Sequence, residues 1–224
     1  MLPTKLQTLL PTELTTYKKA VFKKIGEWLV MTQNRIRTAL MDAAIAVVAR
    51  DGLDKLTTRS IASECDLHDT YIYRYFIDKE DLLKRAFVRE DQKMVDMMMK
   101  GLEPSEIEGL DFRERLRRLW MPAWEYLLDH PDNCKFYVRY YYSVHFEKDA
   151  MEEFNANNDE LKKKFQGIFF SDIDVELLFH YNIDTMLHLG MRVATGEIPN
   201  EESLKNEIFE LMYSINKSFI ERIQ

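Results

Sequence analysis

The chain has 224 residues, 46% of them hydrophobic and 31% charged, with two cysteines and a formal net charge of −7. That is the composition of a soluble globular protein, long enough for one or two domains with a real core. No apolar run approaches the length of a membrane span, and the polar start is interrupted by Pro3 and Pro11 and does not read as a signal peptide. No membrane partner is therefore expected, and the expected location is the cytoplasm. Cys65 and Cys134 stand alone, without CxxC or zinc spacing, so neither a disulfide nor a metal centre is expected. With only 7 Gly and 6 Pro against 12 Met and many Leu, Lys and Glu, the chain is expected to be all-α.

Charge is unevenly spread. Residues 1–90 carry 15 Lys/Arg against 12 Asp/Glu, whereas residues 91–224 carry 16 against 26. That asymmetry suits a small nucleic-acid-contacting head on an acidic body.

In chain order, Leu14, Tyr17, Val21, Phe22, Ile25 and Leu29 make an apolar helical stripe, with Lys18, Lys19, Lys23 and Lys24 near or opposite it. This helix, residues 14–30, could pack on the body or a partner subunit, lie on DNA phosphates, or sit on a membrane surface. A second helix runs from about Asn34 to Arg50 and stops at Asp51-Gly52, a helix-ending glycine signal.

Residues 57–83 are the most specific stretch. Thr57 or Thr58 caps a short helix with Ile61, Ala62 and Cys65 facing inward, and Asp66-Leu67-His68 breaks it after about two turns. The next helix places Ile72 and Phe76 on one side and leaves Thr70, Tyr71 and Tyr75 outward. Asp78 then caps a longer helix beginning Lys79-Glu80-Asp81. Two short helices across a three-residue turn are what is needed to lay one helix in a DNA major groove.

At Thr57, Arg59, Ile61-Ala62, Tyr73-Arg74-Tyr75-Phe76 and Lys79-Glu80-Asp81-Leu82-Leu83, the chain resembles the tetracycline-repressor (TetR) family of bacterial transcription regulators. Ala43-Ala44 and Gly52 match as well, so the resemblance covers roughly residues 35–90. It departs at Asp66, where the family usually has Gly, and at His68, where it usually has Ser. Asp tolerates a left-handed turn, so the turn is expected to survive. Asp66 and Asp69 bring negative charge near phosphates.

The head's last helix, bearing Phe87, Met94 and Met97-Met98-Met99, ends at Gly101 and Pro104. A body helix at about Asp111–Asp129 carries Pro122 in its interior and should be bent. After Asp129-His130-Pro131 comes an aromatic segment, with Phe136, Tyr137, Tyr140, Tyr141 and Val144 on one broad face. Residues 150–168, rich in asparagine, read as short helices or a loop. Two final helices follow, the first capped by Ser171 or Asp172, the second by Asn200. Leu204, Ile208, Leu211, Ile215 and Phe219 form a seam on the last helix that calls for partner helices.

The expected organisation is an all-α chain with three parts. Residues 1–31 are an amphipathic extension, 32–90 a helix-turn-helix head, and 91–224 a ligand-binding and dimerisation bundle. Base reading falls to His68, Asp69, Thr70 and Tyr71, which stand at the exposed start of the recognition helix. Arg37, Thr57, Arg59, Tyr73, Tyr75 and Lys79 are placed for phosphates by type and by the resemblance. The resemblance also implies an effector chamber in the body. Its candidate lining is Trp120, Trp124, Tyr137, Tyr140, Tyr141, His145 and Phe179, suited to a hydrophobic or aromatic small molecule.

His180, Asp184 and His188 share one helical stripe, but the outer two span about 12 Å, too far for one metal ion. An interface or pocket-rim stripe fits them better. No G-x-S-x-G, H-E-x-x-H, P-loop or glycine-rich dinucleotide motif occurs, so no enzyme and no cofactor is expected. The expected function is a repressor, homodimeric through its last two helices, that binds palindromic double-stranded DNA and is released by the effector. The alternative is a ligand-sensing dimer whose DNA binding is weak or lost.

Overall fold

The computed structural model describes residues 11–166 and 174–220, which are helical without strands. The first element, α1, runs unbroken over Pro11–Asp51. The sequence reading expected two helices, 14–30 and 34–50. They are one helix because no Gly or Pro stands between Gly26 and Gly52 to interrupt it. The side chains of the expected stripe from Leu14 to Leu29, and of Lys18, Lys19 and Lys23, lie outside the described residues. The chain divides between Leu40 and Met41 into two units. In the second, α1 contributes the buried Ala43, Ala44, Ile45, Val47 and Val48. It ends at Gly52, whose φ of 89° is one that glycine adopts without strain.

Helix α2 (Thr58–Glu64) starts on a capping box: Thr57 accepts from the Ser60 amide while the Ser60 hydroxyl accepts from the Thr57 amide. It closes in a Schellman arrangement, in which the Leu67 amide donates to the Ala62 carbonyl at 2.9 Å and Asp66 adopts φ 55°. Asp66 is the one non-glycine residue with positive φ among the described residues. The expected left-handed turn is therefore present, with Asp in the place of Gly. A 3-10 turn, Asp69–Tyr71, leads into the single α-turn of α3 (Ile72–Tyr75), whose Ile72 and Phe76 are buried as expected. Asp78 caps α4 (Lys79–Gly101) through a 2.7 Å bond from the Asp81 amide.

Past the single turn α5 (Pro104–Ile107), the body consists of α6 (Phe112–Asp129), α7 (Pro131–Tyr141), α8 (Met151–Gln166), α9 (Val175–Ala194) and α10 (Glu202–Ile220). Helix α6 continues through Pro122, which has no N–H to give the Arg118 carbonyl four residues earlier. Gly101 of α4 lies against that carbonyl so closely that a Cβ there would sit 2.0 Å from its oxygen. The glycine and the proline thus explain each other: one frees a carbonyl, and the other lets the next helix approach it.

Residues 150–168 were expected as short helices or a loop, but a π-helical turn, Phe146–Ala150, feeds the continuous α8. Its inner stripe is Phe154, Asn158, Leu161 and Phe165, and the polar Asn158 hides the helical period. Asp174 caps α9; Ser171 and Asp172, expected in that role, lie outside the described residues, as do Phe169 and Phe170. Asn182 of α9 and Asn216 of α10, both buried, exchange amide hydrogen bonds of 3.1 and 2.8 Å and fix the register of the two helices. The expected seam on α10 is split. Ile208 is buried against its own chain, Leu204 and Ile215 are half-buried, and Leu211 is 62% exposed. Phe219 lies outside the described side chains.

Candidate nucleic-acid interface

The start of α3 is built for display. His68 caps the 3-10 turn that leads into it, its Nδ1 accepting from the Thr70 amide at 3.4 Å and lying 3.1 Å from the Thr70 hydroxyl. A cap hydrogen bond is thus kept where the resemblance leads one to expect serine. Thr70 is exposed, Tyr71 is half-buried with Arg74 5.1 Å over its ring, and Tyr73 is 62% exposed. His68, Asp69, Thr70 and Tyr71 therefore form one contiguous, mostly open surface at the head of the helix.

The residues assigned to phosphates are more varied. Arg59 is exposed, and Tyr75 is half-buried. Thr57 spends its hydroxyl on the α2 cap. Lys79 donates to the Leu56 carbonyl at 3.3 Å and lies 3.5 Å from Glu80, tying the start of α4 to the turn before α2. Arg37 lies half-buried on α1, in the first unit.

In the body, the expected chamber residues fall into two clusters. Trp120 packs edge-on to Phe165 and lies 6.3 Å from Phe179, joining α6 to α8 and α9. Tyr137, Tyr140 and Tyr141 gather around Phe87, Phe146 and Phe154, with Phe87 4.7 Å from Tyr137 and 4.9 Å from Tyr140. His145 stands aside, 3.9 Å from Asp149. The indole nitrogens of Trp120 and Trp124 and the Tyr140 hydroxyl are buried with no hydrogen-bond partner among the described residues.

Sequence reasoning missed a buried acidic pair. Glu90 and Asp91, consecutive on α4, are 1% and 2% exposed. Glu90 accepts from Tyr126 at 2.5 Å, Asn133 at 2.8 Å and Lys93 at 2.9 Å, and Arg89 pairs with it at 2.9 Å. Burial raises its pKa, but the Lys93, Tyr126 and Asn133 bonds outweigh burial and hold the carboxyl below the usual range. Asp91 accepts from Tyr137 at 2.8 Å, Asn157 at 3.2 Å and Asn158 at 3.3 Å, all neutral, and burial pushes it up to about 6. Arg139 of α7 donates to the Val48 and Ala49 carbonyls near the end of α1.

Residues 40–86 match the model of the bacterial regulatory proteins of the tetR family. The chain belongs to the TetR family. An uncharacterised HTH-type transcriptional regulator of Haemophilus influenzae is 24% identical over 152 residues, 67% of this chain and 79% of that protein. The HTH-type transcriptional repressor KstR2 of Rhodococcus jostii is 27% identical over 161 residues, 66% of this chain and 75% of that protein. The crystal structure of the transcriptional regulator FadR from Bacillus subtilis, in complex with stearoyl-CoA, superposes with a TM-score of 0.63. The match covers 78% of this chain and 96% of FadR at 19% identity, a likeness of fold. As a TetR-family regulator, the chain carries its DNA-binding helix-turn-helix in α2 and α3, the elements with the capping box and the left-handed Asp66.

Proposed function

We propose that this TetR-family regulator is a cytoplasmic homodimeric repressor that binds a palindromic operator and is released by a small apolar effector. The observation that carries the DNA-reading part is the open edge formed by His68, Asp69, Thr70 and Tyr71 on a turn locked by caps at both ends. Functionally the chain divides into an extension (1–31), a reading head (32–90) and an effector and dimer domain (91–224). Dimerisation falls to α9 and α10, where Leu177 is 68% exposed and Leu211 62%, beside Tyr181. Leu211, rather than the buried Ile208, is the seam residue left for a partner. The effector belongs among the body aromatics, where three buried polar atoms have no hydrogen-bond partner among the described residues. KstR2 is named a repressor and the FadR structure holds stearoyl-CoA, which supports an apolar effector here.

Selection from random duplex DNA tests the reading. A two-fold symmetric site is expected, with affinity falling steeply as salt rises. Arg59→Ala should weaken all sequences alike, whereas Thr70→Ala or Tyr71→Ala should change base preference by ~1–3 kcal/mol per lost contact. Leu177→Glu with Leu211→Glu should give monomers in light scattering. A second reading, a sensor with weak DNA binding, draws on the carboxylates of Asp66 and Asp69 beside the reading edge. Failure to bind any duplex at low salt would decide for it.

A further inference from the structure

The two buried indoles without partners specify the chemistry of the ligand. Trp120 and Trp124 stand at i and i+4 on α6, on one inward stripe about 6 Å apart along the axis. Each is 1% exposed, and each Nε1–H lacks an acceptor among the described residues. An indole N–H can only donate, so whatever meets it must accept. Leaving such a donor unmet in a folded core is rare and costly. Water is a poor remedy here because it needs two to four polar partners of its own. The rings themselves pack in apolar company: Phe165 and Phe179 lie against Trp120, and Gly190 lies against the benzo edge of Trp124.

We propose that the effector is an apolar molecule carrying a neutral oxygen acceptor, such as a ketone or ester carbonyl, that receives the Trp120 and Trp124 indole N–H groups. This rests on the effector reading above and narrows it to a class. An alkylammonium, which can only donate, would face two donors with a third. A carboxylate would bring a charge among the rings of Trp120, Phe165 and Phe179. Lys162, 5.8 Å from the Phe179 ring, is already paired with Glu176 at 3.1 Å. The Tyr140 hydroxyl, in the neighbouring cluster, can donate or accept and does not discriminate.

The chain has three tryptophans, Trp28, Trp120 and Trp124, so protein labelled with 15N-tryptophan gives three indole signals, assigned with Trp28→Phe and Trp120→Phe. The full-length protein is titrated with straight-chain 2-alkanones of six to fourteen carbons. The 1-alkenes, primary alkylamines and alkanoates of the same lengths serve as comparison probes. The ketones should bind about tenfold tighter than the matched alkenes, the worth of one hydrogen bond. They should also move the Trp120 and Trp124 N–H protons downfield while leaving Trp28 unchanged. If alkenes, amines or alkanoates bind as well as ketones, the class is wrong and the effector reading stands. Indole protons already downfield in the free protein, with exchange to water, would likewise overturn the proposal. If no probe of any class raises the melting temperature or changes DNA affinity, the effector reading itself fails, and this inference with it.

Discussion

Glu90 and Asp91 are consecutive on α4 and almost equally buried, yet they look into different neighbourhoods. Glu90 meets α6 and the start of α7, where Tyr126 and Asn133 join two cations, Lys93 and Arg89. Asp91 meets α7 and α8, where the donors are a phenol and two amides. Burial pushes both carboxyls toward the protonated form. The cationic neighbourhood reverses that push, and the neutral one does not. Both acids sit on the helix that begins at the Asp78 cap just after α3, so one element joins the helix-turn-helix to both charge arrangements.

Removing the charge of Glu90 is the severest test of that contrast. Its Oε1 accepts from Arg89 and Lys93, and its Oε2 from Tyr126 and Asn133. In Glu90→Gln, the charge that meets Arg89 and Lys93 is lost, and an amide NH2 faces those cations on one side or the Asn133 NH2 on the other. A loss of about 3–4 kcal/mol in urea unfolding at pH 7 is expected, the scale of breaking a buried ionic network. A loss under about 1 kcal/mol, the worth of an ordinary surface pair, would mean that solvent screens the cluster and that the two sites do not differ as described.

The head was legible in the sequence because its signals are local. Thr57, Asp66 and Asp78 each act within five residues of themselves, so caps and turn could be read from spacing alone. The continuity of α1 was not read, although no helix breaker stands between Gly26 and Gly52. The body hid more. Asn158 occupies an inward position of α8 because it answers Asp91, 67 residues away, and a polar residue on the inner stripe read as loop. Glu90 and Asp91 read as surface charges because their partners come from α6, α7 and α8. The aromatic count marked α6 and α7 as buried, but the division of their rings into two clusters could emerge only from the packing.

The pH dependence of Asp91 is the next effect in size. Its folded pKa, about 6, lies above the ordinary value of 3.8. Between about pH 4 and 6 the folded state therefore holds a proton that the unfolded chain has released, and stability falls as pH rises through that window. The fall on this residue's account amounts to as much as about 3 kcal/mol. Asp91→Asn should abolish it, so the stability difference between variant and parent should shift in the variant's favour from pH 4 to pH 6.5. Glu90 has the opposite sign: its stabilisation is present above the ordinary glutamate range and is lost as pH falls through its lowered folded pKa. The two contributions have opposite signs, and parallel unfolding curves for Asp91→Asn and parent would contradict the assignment.

The smallest effect separates the two neighbourhoods by single hydroxyl groups. Tyr126→Phe takes one donor from Glu90, which keeps Asn133 on the same oxygen and Lys93 and Arg89 on the other. Tyr137→Phe takes the 2.8 Å donor from Asp91 Oδ1, leaving that oxygen only Asn158 at 3.4 Å. Each variant should lose about 1–2 kcal/mol, since each deletes one hydrogen bond to a carboxyl group. Their effects on titration should diverge. With one of its neutral donors gone, the ionised form of Asp91 is less well solvated, so its midpoint should rise above 6, followed by the carboxyl carbon shift in NMR. The midpoint of Glu90 in Tyr126→Phe should stay below the usual range, because the cations that set its sign are untouched. Equal shifts in the two variants would mean that hydroxyl donors, rather than the presence or absence of cations, decide which acid stays charged.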